Sequence, residues 1–205
     1  VAVNDGEERA EQAGQVAARP RRKDARRNQE ALLNAAAAVF VRSGVDAPVR
    51  EIAAEAGVGV GTIYRHFPTR ADLVAAVYRH QVETCAEAGP ALLASNASPH
   101  AALAQWIDLF VDFLVTKHGL AGALRSDTAG FDTLHAYFLD HLLPVCTELL
   151  GAATTAREIR PELTDLSAYA LLRGVGNLCV GAENDPRYDA RRMAALLVAG
   201  LRRTD

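Results

Sequence analysis

Residues 49–67 read Val-Arg-Glu-Ile-Ala-Ala-Glu-Ala-Gly-Val-Gly-Val-Gly-Thr-Ile-Tyr-Arg-His-Phe, and no other stretch restricts the fold as much. The first half places Ile52, Ala53 and Ala56 at helical spacing and stops at Gly57. The second half does the same with Val60, Ile63, Tyr64 and Phe67. Helices this short do not persist alone, so the two must share a small core and cross steeply over the glycine turn. That spacing is what drives the second of two helices into a DNA major groove. Turning Val60, Ile63 and Phe67 inward leaves Gly59, Gly61, Thr62, Arg65 and His66 on the outer side. Gly61 lets the backbone approach a duplex, the early amides of the helix can face a phosphate, and Thr62, Tyr64 and His66 offer donors to phosphate oxygens. Tyr64 has two readings: a DNA contact, or a ring over the head's core with only its hydroxyl free.

The flanks extend the pattern. Residues 1–20 lack apolar periodicity and are expected to be disordered. A basic arm follows, Arg21-Arg22-Lys23-Asp24-Ala25-Arg26-Arg27, and runs into a helix with Leu32, Leu33, Ala36, Val39 and Phe40 on one face, ended by Ser43-Gly44. The arm is read as lying along phosphates or in a minor groove, the alternative being a solvated charge run. Pro48 suits the first turn of the next helix. Pro68-Thr69 opens a fourth, capped by Thr69 with Asp72 three residues on, and Gly89-Pro90 is expected to close it. Beyond lie a helix from Pro99 through Lys117, a short one near 120–125, and a polar loop at 127–132. Helices over 133–153 (kinked or split by Pro144), 165–183 and 189–203 complete the chain. The organisation expected is a tail (1–20), a helix-turn-helix DNA-binding domain (21–68), a connecting helix (69–89) and a ligand-binding and dimerisation domain (90–205). The fold class is all-α.

Charge supports the division. The 205 residues carry a net −3, yet 19–79 hold eleven Lys/Arg against six Asp/Glu, a net of +5. A basic segment on an acidic chain is the asymmetry expected of a nucleic-acid head on a larger body. Only Lys23 and Lys117 are lysine, so composition alone singles out no arginine as a bidentate reader. The three cysteines, Cys85, Cys146 and Cys179, are widely spaced, which argues against a disulfide framework or a zinc finger. No apolar run approaches the roughly 18 residues of a membrane span, and the first residues do not form a basic-then-apolar signal. A soluble, cytoplasmic protein without membrane contact is expected.

Residues 22–88 resemble the N-terminal domain of the TetR family of bacterial transcription regulators. The resemblance rests on Phe40-Val41-Arg42-Ser43-Gly44, Val49-Arg50-Glu51-Ile52-Ala53, Ala56-Gly57-Val58, Gly61-Thr62-Ile63-Tyr64-Arg65-His66-Phe67 and Thr69-Arg70-Ala71-Asp72-Leu73 taken together. It implies an all-α homodimer with a DNA head and a ligand-binding body, commonly a repressor released from its operator by a small molecule. It also implies DNA contacts at Arg50, Gly61, Thr62, Tyr64, His66 and Arg70. Arg65 joins them from the helical wheel, and Arg22, Lys23 and Arg26 from the basic arm. Two positions depart from the family pattern. Ala47-Pro48 stands where Ser or Thr usually caps the second helix, leaving Asp46 as a candidate cap, and Gly59 stands where Ser is frequent.

The body is less explicit. Trp106, Phe110, Phe113, Phe131, Tyr137 and Phe138 either line a ligand cavity or form ordinary core. Arg125, His135, His141 and Asn177 are polar candidates beside them, so the pocket expected is Trp106, Phe110, Phe113, Arg125, His135, Phe138, His141 and Asn177. Leu171, Leu172, Val175 and Leu178, with Met193 and Leu197, form stripes on the last two helices that suit dimerisation, or packing inside one subunit. No zincin histidine pair, nucleophile elbow or phosphate loop is present, so no catalytic residue, metal or cofactor is expected. The partners expected are double-stranded operator DNA, a second copy of the chain and a small-molecule effector that the sequence does not identify. An activator or ligand-independent regulator is the first alternative, and a carrier or enzyme with an unused head the second.

Overall fold

A computed structural model describes residues 26–124, 128–180, 182, 185 and 187–204, with side chains left undescribed for 115–131. Among the described residues there are eight α-helices: α1 (26–43), α2 (Val49–Ala56), α3 (Val60–His66), α4 (Arg70–Ser95), α5 (Pro99–Leu124), α6 (Thr128–Thr155), α7 (Ala168–Cys179) and α8 (Ala190–Leu201). A 3-10 turn at Pro161–Leu163 precedes α7. Among the described residues, the β-type pairing is one isolated antiparallel bridge between Ile159 and Arg202. None of the described helices is long and apolar enough to cross a membrane.

Helices α1, α2 and α3 enclose a small core of Leu32, Leu33, Ala36, Val39, Phe40, Ile52, Ala53, Ile63 and Phe67, all buried. Arg70 and Thr69 then set α4 against it. The Thr69 hydroxyl accepts from the Asp72 amide at 3.1 Å, while the Asp72 carboxylate accepts from the Thr69 amide at 2.9 Å. This reciprocal box satisfies donors that a bare helix start would leave open. From there α4 packs against both α5 and α6, burying Leu73, Val74, Val77, Tyr78, Val82 and Cys85.

Several helices differ from their sequence-based bounds. The fourth does not close at Gly89-Pro90 but runs on to Ser95. Gly89 is not a left-handed terminator; it is buried where α4 meets α6, and a Cβ there would collide with Val145 Cγ1. Proline costs a helix interior about 3 kcal/mol, which the packing on both sides of α4 offsets. Pro144 likewise sits within an unbroken α6. The stretch beyond Lys117 continues α5 to Leu124 rather than forming a separate short helix, and α6 begins at Thr128, inside the expected loop. Alanine and leucine sustain helix there despite interior glycines. Helix α7 is shorter than expected because the Ser167 side chain accepts from the Ala170 amide and starts it, and Val180 turns extended and ends it. Asp189 caps α8 through the Arg192 amide.

The body's core is aromatic. Trp106 and Phe110 stack with centroids 5.8 Å apart, and Phe110, Phe113 and Phe138 continue the cluster. The Trp106 indole donates to the Cys85 carbonyl at 2.8 Å, locking α5 to α4. Tyr137 of α6 donates to Glu83 of α4 at 2.6 Å. At the far end Glu158 accepts from the Ser98 hydroxyl and the His100 amide at the start of α5, and the buried His100 ring meets the Val198 carbonyl at 3.0 Å.

Candidate nucleic-acid interface

The turn between α2 and α3 fixes the site. Gly57 has φ +66, a left-handed conformation that glycine takes at no steric cost. The Gly57 amide bonds Ala54 at 3.3 Å and the Val58 amide bonds Ala53 at 3.0 Å, the paired closure of a Schellman cap. The chain then reverses within two residues, and Gly59 starts α3 with no side-chain cap. The expected role for Asp46 at the start of α2 is not found. Pro48 holds the cap position, no side chain caps there, and Asp46 is exposed.

Helix α3 buries Ile63, and Phe67 at its C-terminal cap is buried beside it. Val60, expected inside, is 39% exposed, and Tyr64 is 51% exposed. The inner stripe is thus two residues wide, because a seven-residue helix turns only one face to its neighbours. The reading of Tyr64 as a lid on the core with a free hydroxyl does not hold, since half the side chain faces solvent. Gly61, Arg65 and His66 are exposed, Thr62 half-buried, and Arg50 exposed on the first turn of α2. Arg50 of α2 and Gly61, Tyr64, Arg65 and His66 of α3 are thus open to solvent, with Thr62 partly so. Arg22 and Lys23 lie outside the described residues, while Arg26 is exposed and pairs with Glu30 at 2.8 Å.

Arg70 is the exception among the expected DNA contacts. Its guanidinium donates to the Val45 carbonyl through Nε at 2.9 Å and again through Nη2, and lies 4.9 Å from the Phe40 ring centroid. Partial burial pulls its pKa down. It fastens the start of α4 to the corner between α1 and α2, so two of its N–H donors are turned into the protein rather than outward. Arg42 is likewise committed, to Glu55 at 3.1 Å. Neither pairing is visible in the sequence, since the partners are 25 and 13 residues apart.

The expected pocket residues separate. Trp106, Phe110, Phe113 and Phe138 are tightly buried in core, and Arg125 lies outside the described residues. His135 is exposed with its ring stacked on Phe138, and His141 is half-buried with Nδ1 2.8 Å from the Tyr137 carbonyl. Asn177 is on the exposed side of α7, away from that cluster. Burial pushes the Cys85 and Cys146 thiols up to about 12 and also raises Cys179, leaving all three inert at neutral pH. Among the described residues, no group of three His, Cys, Asp or Glu side chains is placed to hold a metal.

On the last two helices Leu171, Leu172 and Val175 are buried inside their own subunit, so they are not available to a partner as expected. Leu178 and Leu197 are half-buried and Met193 is exposed. The apolar side chains turned outward are Tyr169, Val180, Met193 and Leu196, the last 59% exposed. Sequence reading missed Tyr169 and Val180, while Leu196 belongs to the stripe with Met193 and Leu197 that it expects on the last helix. The spacing of Tyr169, Arg173, Gly176 and Val180 as a second stripe, about 110° round from the buried one, was the available signal.

Comparison with known proteins decides the family. A family model for bacterial regulatory proteins of the tetR family matches residues 32–77, and one for the C-terminal domain of SbtR-like transcriptional regulators matches residues 98–203. The chain belongs to the TetR family of transcriptional regulators. A TetR transcriptional regulator from Streptomyces coelicolor is 35% identical, covering 85% of this chain and 98% of its own, with a TM-score of 0.72. A TetR regulatory protein from Mycobacterium vanbaalenii is 31% identical over 89% of this chain and 99% of its own, with a TM-score of 0.68. The regulator FadR from Bacillus subtilis, in complex with stearoyl-CoA, shares the fold at 22% identity, covering 83% of this chain and 96% of its own, with a TM-score of 0.57. This family member is thus an all-α, DNA-binding transcription regulator with an N-terminal helix-turn-helix head and a helical C-terminal region.

Proposed function

We propose that this regulator acts as a homodimeric repressor that a small-molecule ligand releases from its operator. The observation that carries the DNA side is the exposure along α3, where Gly61, Tyr64, Arg65 and His66 are open and Thr62 half-buried, while the helix itself buries only Ile63. Packing covers only half of Tyr64, and phosphate and base contacts use a tyrosine's ring and hydroxyl alike. Arg50 contributes from α2. Residues 21–68 form the DNA-binding domain in this reading. The connecting helix spans α4, and the remainder is the effector and dimerisation domain.

The outward Tyr169, Val180, Met193 and Leu196 support dimerisation through α7 and α8, because apolar side chains grouped on neighbouring helices mark an interaction surface. The FadR–stearoyl-CoA complex supports a small-molecule effector in the body. Such a ligand acts only through different affinities for the DNA-competent and released states. The route is α4, joined to the head by Arg70–Val45 and to the body by Trp106–Cys85 and Tyr137–Glu83. The protein works in the cytoplasm, where the operator is, and has no catalytic task.

Footprinting the full-length chain on DNA upstream of its own gene tests the reading, followed by titration of a metabolite library against the complex. Protection of two half-sites about one helical turn apart, lost on adding a ligand, is expected. An unprotected upstream region contradicts operator binding. Protection that no ligand relieves contradicts release. A fall in reporter output on deleting the gene makes the protein an activator. For the dimer, Met193→Asp with Leu196→Asp shifts sedimentation to the monomer, and an unchanged dimer removes this face from the interface.

A further inference from the structure

We propose that Arg65 is the base-reading side chain of α3 and that it selects a guanine in the operator half-site. The proposal rests on the DNA-binding reading above and adds to it the base and the residue that chooses it.

Position comes first. At about 100° per residue, Arg65 falls about 160° from Ile63, the side chain that α3 itself buries. When Ile63 and the cap residue Phe67 hold α3 against the head, Arg65 points toward whatever the helix faces. Thr62 and His66 flank that direction on one side and Tyr64 on the other.

Availability comes second. The head's arginines fall into two groups. Arg26 is paired with Glu30, Arg42 with Glu55, and Arg70 with the Val45 carbonyl. Arg65 makes no hydrogen bond or ion pair among the described residues and is exposed. Glu55, the acid at the end of α2, is engaged by Arg42, and Asp72 by Thr69.

Reach comes third. Side chains on a helix lean toward its N-terminus and cover the preceding turn. The residue one turn before Arg65 is Gly61, where a Cβ would meet nothing within 4 Å. The guanidinium therefore has open space along the helix, and the bare backbone at Gly61 allows α3 to sit deep in the groove. Guanine presents two acceptors, O6 and N7, in the major groove, and the planar guanidinium matches both at once. Thr62, Tyr64 and His66 offer single donors suited to phosphates. Arg50 is also without a partner among the described residues, but it sits on α2, the helix that crosses the backbone in this geometry, and takes a phosphate.

The test is to select duplex DNA from a random pool with the full-length chain and with Arg65→Ala, then compare base preferences position by position. The wild type is expected to prefer a guanine by on the order of ten- to hundredfold at one half-site position. Arg65→Ala loses that preference there alone. Replacing this guanine by 7-deazaguanine, which lacks the N7 acceptor, weakens the wild type several-fold and leaves Arg65→Ala unaffected. Arg50→Ala, as a control, weakens all sequences alike. Because Arg65 has no partner among the described residues, the variant keeps the wild-type melting temperature. If Arg65→Ala retains every base preference and only binds more weakly, Arg65 grips a phosphate and the proposal is wrong. If the wild type selects no sequence at all, the operator-binding reading falls with it.

Discussion

The Arg70 guanidinium, on the first turn of α4, donates to the main-chain carbonyl of Val45 in the corner between α1 and α2. It stands over the Phe40 ring at 4.9 Å, which adds a cation–π contact. This clasp ties the direction of α4 to the head that carries α3. A charged donor on a neutral acceptor contributes about 2 kcal/mol. Arg70→Ala is therefore expected to lower stability by about that much, measured by urea unfolding. Operator affinity should fall without any change in base preference. An altered preference would make Arg70 a DNA reader after all.

The cap at the start of α4 titrates. Hydrogen bonds from the Thr69 side chain and backbone hold the Asp72 carboxyl below its ordinary value of 3.8. A depressed carboxylate stabilises the folded state above the unfolded value, and that contribution disappears as pH falls through the folded value. Wild type and Asp72→Asn should differ in melting temperature by a constant amount near neutral pH, and the two curves should converge below pH 3.8. Curves parallel throughout this acid range would show that the box does not depend on the carboxylate.

Gly89 offers a packing test whose sign is informative. Alanine at an open helix-interior position stabilises by about 1 kcal/mol relative to glycine. At Gly89 the added methyl would overlap Val145 Cγ1 on α6, and overpacking costs about 1–3 kcal/mol. Gly89→Ala should therefore be neutral to destabilising by denaturant unfolding, with α4 pushed away from α6. A gain of about 1 kcal/mol would mean that the two helices do not approach so closely.

What the sequence revealed follows from locality. The Thr69–Asp72 box, the Gly57 turn and the Ile63–Phe67 stripe are set by residues within a few positions of each other, and all three are legible in the chain. Gly89-Pro90 was misleading for the opposite reason. It looks like a terminator, yet its neighbours across the fold, Val145 and Trp106, make it a close helix contact. The inward partners of Arg70 and Leu171 are hidden in the same way, because a guanidinium or a leucine at the right spacing says nothing about which partner claims it. Val45 claims the first, and the subunit's own core the second. In the α2–α3 face the side chains that point outward could be read from helical periodicity. Which arginines remain free could not, because pairing partners such as Glu55 come from another helix.

The most direct measurement is the affinity of the full-length chain for a selected operator duplex, wild type against Tyr64→Ala with His66→Ala, by fluorescence anisotropy at fixed salt. Both residues are exposed, so helical content and melting temperature should be unchanged, while affinity should fall by at least about tenfold through the lost contacts. Equal affinity of the two proteins for that duplex would contradict the account, because DNA would then be held by a different face.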